Sequence, residues 1–434
     1  MNRWICVIAV LAMVITGCAK SEPDATVSAK PSDSDSTQSA SPIAADPAVS
    51  GDPNTQAPQS MPGTVNSHEA SRIPPKPDGV VRIATFNVSL YGKAPGQILE
   101  RLADGKDQQA ERIAAIVQTV RPDVLLLNEI DFDEDAATVN ALNDLFFAVG
   151  NTERDGHRFD HVRSFPSNTG VDSGLDLDDN GQPGQPNDAW GYGVYEGQYA
   201  MAVLSRFPIQ DEQIRTFQKL RWASMPDPQV PVDPESGETY YDEDVWNQLR
   251  LSSKNHIDVP VQIGERALHV FASHPTPPVF DGPEDHNGCR NHDEIRFWTD
   301  YLDGSSDAWM IDDAGNQGGF GSDAPFVIMG DLNADPVRGD GRRDAIIGLL
   351  EHDRTTDPQP SGAAVAEKKP SDSVSPHATA DFGRNGWMRV DYVVPDQSLE
   401  LHDSGVFWPG PDSPQRYWIT ASDHRLVWID VVWP

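Results

Sequence analysis

Six short apolar runs of this sequence each carry, within or next to them, a polar side chain that can bind a divalent metal ion or move a proton. Carboxylate and amide oxygens suit Mg²⁺, Mn²⁺ or Ca²⁺ better than Zn²⁺, and an imidazole changes its charge near neutral pH. A single Asp or Asn at the end of a buried strand is more often part of a turn, so the indication comes from the whole set. Its members are Asn87, Glu129, His274, Asp331 with Asn333, Asp391, and Asp423 with His424.

The elements that must position these side chains are runs rich in Val, Ile and Phe that are too short for helices and typical of buried strands. Helical spacing occurs at 108–120 and at 293–302. Strands mixed with amphipathic helices predict a layered α/β fold, and loops at one edge of a sheet gather where ligands usually bind. The predicted strands are 80–88, 124–128, 200–204, 257–263, 267–273, 326–330, 389–394 and 425–432.

Four polar stretches between these elements are too long for simple connections. We expect them to be surface insertions, either functional or decorative. They cover 151–196, 222–250, 303–324 and 351–387.

In their order along the chain, the six runs resemble the motifs of the endonuclease/exonuclease/phosphatase superfamily. Each motif alone is weak, whereas the ordered set is specific and the resemblance extends over residues 79–434. It implies one large domain with the deoxyribonuclease I-like fold, a four-layered α/β sandwich with two mixed, mainly antiparallel sheets. The motifs are 83–88 (IATFNV), 127–130 (LNEI), 273–275 (SHP), 330–335 (GDLNAD), 389–392 (RVDY) and 422–424 (SDH).

The resemblance implies a cation site on one side of the set. Glu129 would be the principal ligand of Mg²⁺ or Mn²⁺, and Asn87 and Asp423 would complete that side. Hydrolysis of a phosphoester needs charge neutralisation, which such a cation provides. Repair endonucleases that cut at abasic sites carry an acid where this chain has Ser89, so that branch of the superfamily is disfavoured.

The resemblance also assigns proton-transfer and phosphate-binding roles. Asp331 would orient or deprotonate the attacking water, and Asn333 would hold a phosphate oxygen. His424 would contact the scissile phosphate, with Asp391 fixing its tautomer and favouring its charged form. His274 would lie on the leaving-group side, as in the deoxyribonuclease I and sphingomyelinase branches.

Two further patterns can be interpreted either as ligand-binding sites or as ordinary surface structure. Residues 281–296 follow the His274 strand and open a helix, so Arg290 and Arg296 either approach a substrate phosphate or belong to a solvated, salt-bridged helix start. Residues 176–181 (DLDDNG) match the first half of a calcium loop. Asp176, Asp178 and Asn180 would ligate a structural Ca²⁺, but the twelfth position is Asn rather than Glu, so a plain acidic turn is the alternative.

The first residues resemble the signal peptide of a bacterial lipoprotein. An apolar stretch too short to span a bilayer ends at a small-residue segment before Cys18, which would become the lipidated first residue. Ala19 after it favours an outer-membrane location, and an ordinary secretory signal or an uncleaved anchor is the alternative. Residues 19–78, rich in Ser, Ala, Pro and Asp, predict a disordered tether. Cys289 is then the single thiol of the domain and is expected to be a packing residue.

The net charge of the chain excludes some classes of function but does not identify one. The 434 residues include 67 acidic and 33 basic side chains, for a net charge of −34. Residues 1–78 contain eight acidic and five basic side chains, so −31 belongs to residues 79–434. A broad basic surface for nucleic acid is therefore excluded. The leading prediction is a metal-dependent phosphoesterase of the cell envelope, acting on a compact phosphodiester or phosphomonoester, with no stable protein partner implied.

Two alternatives stay open. One is an extracellular nuclease acting on DNA or RNA, because acidic proteins can hide a local basic groove. The other is an inactive binding lipoprotein on the same scaffold, which loss of Glu129 or of either His274 or His424 would have suggested. All three residues are present.

Overall fold

The computed structural model describes residues 73–304, 308–368 and 373–434. The signal segment expected at 1–18, its Cys18 and most of the tether expected at 19–78 lie outside the described residues. Ile73 packs against the core and Lys76 forms an ion pair with Asp123. The folded part therefore includes residues before 79, where the sequence suggested that it begins.

The strands form two large sheets and one short ribbon. In chain order they are β1 (Val80–Leu90), β2 (Val124–Ile130), β3 (His161–Phe165), β4 (Ala200–Ser205), β5 (Arg215–Thr216), β6 (His256–Ile263), β7 (Arg266–Ser273), β8 (Phe326–Asp331), β9 (Ala380–Asp381), β10 (Trp387–Met388), β11 (Asp391–Pro395), β12 (Glu400–Val406) and β13 (Val427–Val432).

Helices are distributed between the strands. None among the described residues is long and apolar enough to cross a membrane. They are α1 (Gln97–Leu102), α2 (Gln108–Val120), α3 (Ala137–Leu142), α4 (Glu243–Trp246), α5 (His286–Asp303), α6 (Arg343–Leu350) and α7 (Ala363–Glu367).

The pairing of the strands confirms the predicted fold class. The first sheet has the order β12-β13-β1-β2-β4-β3, in which only β1 and β2 run parallel. The second sheet has the order β11-β8-β7-β6-β5, in which only β7 and β8 run parallel. Both sheets are thus mixed and mainly antiparallel. The short ribbon pairs β9 with β10.

Side chains of β8 show how the sheets divide the core. Val327 and Met329 belong to a core shared with β1, β2, β13 and α2, whereas Phe326 and Ile328 belong to a second core with α5 and α6. Successive side chains of a strand point to opposite faces, so β8 lies between the two cores. The second sheet therefore packs on the first with one face and on helices with the other.

All eight strands predicted from apolar runs are present, and α2 has the predicted bounds. α5 begins at His286, seven residues before the helical spacing at 293, and β11 begins at Asp391 rather than at 389. The five strands that the prediction missed are the edge strands β3, β5 and β12 and the two strands of the short ribbon, β9 and β10. β12 exposes several polar side chains and lacks an apolar run, as edge strands commonly do.

Candidate active site

The predicted site residues meet at one edge of the stacked sheets. Parallel pairs β1/β2 and β7/β8 bring four strand ends to this edge, and the antiparallel strands β11 and β13 begin there. Each strand thus delivers its polar residue to the same place by topology alone. The residues delivered are Asn87, Glu129, His274, Asp331, Asn333, Asp391, Asp423 and His424.

A bulge in β2 places Glu129 in the site. Asn128 pairs with Met201 of β4 and Ile130 pairs with the preceding Ala200, which leaves Glu129 as an extra residue with a φ of 57°. A matching irregularity in β1 follows Asn87, where Ser89 has a φ of 45°. Bulges of this kind redirect a side chain and are common next to active sites.

Asp331 lies at the centre of the set. Its Oδ2 accepts a hydrogen bond from Asn87 Nδ2 at 3.0 Å, and the same Nδ2 donates to Glu129 Oε1 at 2.9 Å. His274 Nε2 lies 3.6 Å from that Asp331 oxygen and 4.0 Å from Glu129 Oε1. His424 Nε2 approaches it from the other side, also at 3.6 Å.

A tight turn after β8 sets the direction of Asp331 and Asn333. Gly330 has a φ of 147°, and a Cβ built on it would lie 2.0 Å from the Ser273 carbonyl oxygen, so no larger residue fits between β7 and β8. Asn333 adopts a φ of 52°, and its N–H donates to Asp331 Oδ1 at 3.0 Å. Asn tolerates this left-handed conformation better than most residues. Its side chain donates to the Pro275 carbonyl at 3.1 Å.

His424 and Asp391 form a buried pair. His424 Nδ1 lies 3.0 and 3.1 Å from the two Asp391 oxygens, and Asp391 stands opposite Asp331 in the β8/β11 ladder. The Asp391 N–H donates to Thr379 Oγ1 at 3.0 Å, which fixes the start of β11. Burial opposes a charge on His424, but Asp391 and Asp331 outweigh it and hold the pKa of His424 well above its usual value.

The other central groups have shifted pKa values as well. Burial raises the pKa of Glu129, which the Asn87 hydrogen bond only partly offsets. Burial and the nearby Asp391 raise the pKa of Asp331 to about 7, against the opposing charge of His424. Burial, Lys254 and His424 lower the pKa of His274 well below its usual value. Crowded carboxylates of this kind gain from an added cation.

The donor set fits a divalent cation of the hard class. Glu129, His274 and Asp331 offer ligand atoms that all lie within 4.8 Å of one another, as do Asp331, Asp391 and His424. His274 Nδ1 is buried without a hydrogen-bond partner, so this ring is not held by protein contacts at both nitrogens. Carboxylate oxygens around one point are typical of Mg²⁺ or Mn²⁺ sites. The Asn87 amide turns its Nδ2 toward the carboxylates and its Oδ1 toward the Ser89 N–H, so it orients these ligands and does not match the ligand role predicted for it.

Asp423 occupies the rim of the site rather than its centre. Its side chain is exposed and accepts a hydrogen bond from Ser89 Oγ at 3.0 Å. It lies close enough to Glu129 to raise the pKa of that carboxyl. Ser422, the residue before it, donates to the Asn87 carbonyl at 2.8 Å and so ties the start of β13 to β1.

Lys254 is a site residue that the sequence reasoning missed. It is buried, and its Nζ lies 3.4 Å from the Pro275 carbonyl oxygen that Asn333 also contacts. Burial lowers its pKa, while Glu294, Glu129 and Asp331 raise it in part. A charged residue directly before the buried strand β6 was the available signal, because buried lysines are rare unless paired.

The two arginines predicted at the rim are engaged elsewhere. Arg290 donates to the carbonyls of Leu251, Trp190 and Arg250 at 2.7 to 3.0 Å. Arg296 donates to two carbonyls of the 226–227 turn and pairs with acids of its own helix. These contacts fasten loops to α5, and a role of either arginine in binding substrate phosphate stays a prediction.

The predicted calcium loop keeps its acidic cluster but with a different third member. Asp176, Asp178 and Asp188 offer carboxylate oxygens within 4.8 Å of one another. Asn180, the predicted third ligand, instead uses its Oδ1 to accept the Gln182 N–H at 2.8 Å. A Ca²⁺ at this loop stays a prediction.

Cys289 is buried in the second core, as the packing role predicted from the sequence requires. Burial raises the pKa of its thiol to about 11. A thiol of this kind is protonated near neutral pH and is a poor nucleophile.

The sequence matches a family model described as the Endonuclease/Exonuclease/phosphatase family over residues 84–424. The match begins just before Asn87 and ends on His424, so it contains every residue of the site. The chain belongs to this family. Its enzymes are metal-dependent hydrolases of phosphoric esters, and the resemblance drawn from the motifs is confirmed. No curated protein has a matching sequence.

Solved structures similar to this chain share little sequence with it. An endonuclease/exonuclease/phosphatase from Beutenbergia cavernae has 17% identity and a TM-score of 0.43, covering 81% of this chain and 71% of its own. Truncated TDP2 from Caenorhabditis elegans has 15% identity and a TM-score of 0.40, with 81% and 98% covered. Sphingomyelinase C from Streptomyces griseocarneus has 15% identity and a TM-score of 0.41, with 81% and 99% covered. The family assignment rests on the family model.

Proposed function

We propose that this protein is a Mg²⁺- or Mn²⁺-dependent phosphoesterase that hydrolyses a compact phosphodiester or phosphomonoester. The observation that carries the proposal is that Asn87, His274 and His424 converge on Asp331. The side-chain amide of Asn87 also binds Glu129. Glu129 would hold the cation, with its carboxylate oriented by the hydrogen bond from Asn87 Nδ2. The cation would supply charge neutralisation at the phosphate.

The chain's own residues supply the remaining steps. Asp331 is placed to orient the attacking water and to accept its proton as the new bond from oxygen to phosphorus forms and the ester bond breaks. His424, kept cationic by Asp391, and Asn333 would bind phosphate oxygens. Neutral His274 would donate its Nε2–H to the leaving oxygen, which water then protonates.

Lys254 adds a positive charge on the side of Asn333. Both donors converge on the Pro275 carbonyl, and the ammonium keeps hydrogens for a second acceptor. A phosphate oxygen beside Asn333 would meet this ammonium. The site thus offers phosphate a buried lysine and a histidine cation rather than a row of arginines.

The surface charge favours a compact substrate. A net charge of −31 over residues 79–434 repels a long polyanion. Arg290, Arg296 and Arg425 all donate to main-chain carbonyls, and Arg389 pairs with Asp357. All four arginines thus have hydrogen-bond partners within the protein, which supports a compact substrate over a nucleic-acid backbone.

A hydrolysis panel with a salt series tests this choice. It compares kcat/KM for bis(p-nitrophenyl) phosphate, an aryl phosphomonoester, sphingomyelin, RNA and duplex DNA in fixed excess Mg²⁺. Affinity for DNA falls by roughly 0.9 log units per neutralised phosphate per decade of salt, so few contacts give a shallow slope. We expect preference for a small ester and activity that persists at high salt. A strong preference for DNA with a steep salt dependence of kcat/KM would establish a nuclease instead. If none of the substrates is hydrolysed, a binding protein would be favoured.

We also propose that the enzyme is a lipoprotein of the cell envelope, anchored through Cys18. The proposal is supported by the segment before this residue, with its short apolar stretch and small residues. Expression of a Cys18→Ala variant in a Gram-negative host tests it by fractionation. The variant should leave the membrane fraction with its activity unchanged, whereas a variant that stays membrane-bound and uncleaved would show that the segment is a true span.

A further inference from the structure

We propose that Glu294 and Asn291 of α5 are positioning residues that hold three loop segments of the active site in register. The inference rests on the proposed function and deepens it. Neither side chain touches the reacting groups. Each instead binds main-chain groups one or two residues away from a site side chain, where the chain has just entered or left a strand.

Glu294 joins the segment before β6 to the segment after β7. Its buried carboxylate accepts the Ser253 N–H at 2.6 Å and the Ser253 hydroxyl at 3.0 Å through Oε1, and the Thr276 N–H at 2.6 Å through Oε2. Lys254 follows Ser253, and His274 precedes Thr276 by two residues. One carboxylate therefore sets the separation between the site's ammonium and one of its imidazoles, and charge-assisted bonds of this length are strong.

The main chain of Glu294 contributes a second bond to the same segment. His256 Nε2 donates to the Glu294 carbonyl at 2.7 Å, and Ser252 Oγ contacts its Nδ1. Burial lowers the pKa of His256 to about 4. The ring is therefore neutral, with its hydrogen on Nε2, and the segment from Ser253 to His256 is fastened to α5 at both ends.

Asn291 adds the third segment from the turn of α5 before Glu294. Its Nδ2 donates to the Thr276 carbonyl at 2.8 Å and to the Leu332 carbonyl at 3.0 Å. Leu332 stands between Asp331 and Asn333. Thr276 is thus held through its N–H by Glu294 and through its carbonyl by Asn291, and the turn after β8 is tied to the same point.

These bonds govern geometry that the sheet ladder does not reach. The β7/β8 pairing ends at Ala272 and Met329, the β6/β7 pairing at His256 and Ser273, and the β8/β11 pairing at Asp331 and Asp391. Ser253, Thr276 and Leu332 all lie beyond these paired residues. A misplacement of about 1 Å at a catalytic group can lower a rate roughly 100-fold. Loss of the Glu294 carboxylate should therefore lower kcat even in a protein that remains folded.

Asp258 provides a matched control. It is a buried carboxylate of β6 that accepts the Tyr301 hydroxyl of α5 at 2.8 Å and contacts His269 Nδ1 at 2.7 Å. Asp258→Asn removes a charge between the same two elements, two helical turns away from Glu294. It weakens the packing of α5 on β6 without touching the three site segments.

The experiment measures kcat and KM of the full chain for bis(p-nitrophenyl) phosphate in excess Mg²⁺, below the melting temperature of every variant. We expect kcat to fall about tenfold in Glu294→Gln and roughly 100-fold in Glu294→Ala, with KM changed less than threefold. Gln keeps one acceptor oxygen and so rescues part of the loss. Asp258→Asn should keep the wild-type kcat, even where its melting temperature falls as much as that of Glu294→Gln. Equal kcat losses in Glu294→Gln and Asp258→Asn would overturn the inference.

Hydrogen exchange separates this inference from the proposed function. If the wild-type protein hydrolyses no phosphoester, the proposed function fails, while amide exchange at Ser253 and Thr276 still reports on the two segments. Faster exchange at both amides in Glu294→Gln, but not in Asp258→Asn, would support the positioning role. Wild-type protection at these amides in Glu294→Gln would refute it.

Discussion

At the scale of single residues, the proposed mechanism requires one charged and one neutral imidazole. Asp331 lies 3.6 Å from both rings, but only His424 also pairs with Asp391, whereas Lys254 and His424 place positive charge beside His274. Both rings are buried, so the difference between them comes from their neighbours rather than from exposure to water. A charged and a neutral histidine can then serve the phosphate and the leaving group in turn.

Asp391 acts through His424, which predicts non-additive losses. Asp391→Asn should lower kcat about as much as His424→Ala, by roughly 10²- to 10⁴-fold. The double variant should lose little more, because residues that act as one unit are not additive. Steady-state rates of the two single variants and the double variant measure the coupling. Fully additive losses would contradict the pairing.

A second residue-scale prediction concerns stability below neutral pH. Burial lowers the pKa of His157 to about 4, although its Nε2 hydrogen-bonds the Pro122 carbonyl at 2.6 Å. In the unfolded chain this pKa is about 6.5. The unfolded state therefore binds the proton first, and the contribution of this residue to stability falls as pH drops from 6.5 to 4.

His157→Gln removes that titration. Urea unfolding at pH 7 and pH 4.5 should show the stability difference between wild type and variant shrinking by about 2 kcal/mol at the lower pH. The same substitution at the exposed His402 of β12, His402→Gln, is the control for the exchange of the side chain itself. A difference that stays constant between the two pH values would disprove the account.

Most of the site residues could be predicted from residue type, because carboxylates, amides and histidines at strand ends are typical of metal binding and proton transfer. Lys254 was not predicted, because a lysine before a strand usually lies in a solvated loop. Only the fold shows that it is buried beside Asn333. The reverse holds for Arg290, whose charge suggested phosphate binding. Its Nε and Nη2 donate to main-chain carbonyls, and those carbonyls need a donor only once loops are packed on α5.

At the scale of elements, the site depends on how closely β7 and β8 approach at their ends. Gly330→Ala would place a Cβ against the Ser273 carbonyl oxygen and force the strands apart. We expect a loss of activity of at least tenfold and a lowered melting temperature. Gly348, inside α6, has open space around its Cβ position. Gly348→Ala should raise stability by about 1 kcal/mol and leave kcat unchanged, and calorimetry with rates measures both. Full activity in Gly330→Ala would show that the spacing is not critical.

Apolar runs predicted the elements where a strand is buried on both faces. β12 has its polar side chains at a sheet edge, so its pairing with β13 leaves little trace in the sequence. The start of α5 was predicted too late because residues 286–292 place polar groups inside. Asn291 and His292 are buried there. The bonds of Asn291 to the Thr276 and Leu332 carbonyls depend on tertiary packing, which a periodicity of apolar residues does not register.

At the scale of the whole molecule, an acidic body surrounds a site built for an anion. The surface charge repels substrate phosphate at long range, and Lys254, His424 and a bound cation must attract it at short range. Screening shortens the repulsion to about 8 Å at physiological salt. A small ester therefore experiences less repulsion from the protein than a polymer with many phosphates does. For this reason the acidic surface favours a small substrate.

The central claim is that a divalent cation held at Glu129 drives hydrolysis of a phosphoester. The most direct measurement is the Mg²⁺-dependent hydrolysis of bis(p-nitrophenyl) phosphate by the wild type, by Glu129→Gln and by Glu134→Gln, which alters an exposed carboxylate on the following loop. The account predicts that the wild type and Glu134→Gln are active, that EDTA abolishes both activities until Mg²⁺ is restored, and that folded Glu129→Gln shows no Mg²⁺-stimulated activity. Full activity of Glu129→Gln, or hydrolysis by the wild type that EDTA leaves untouched, would contradict it.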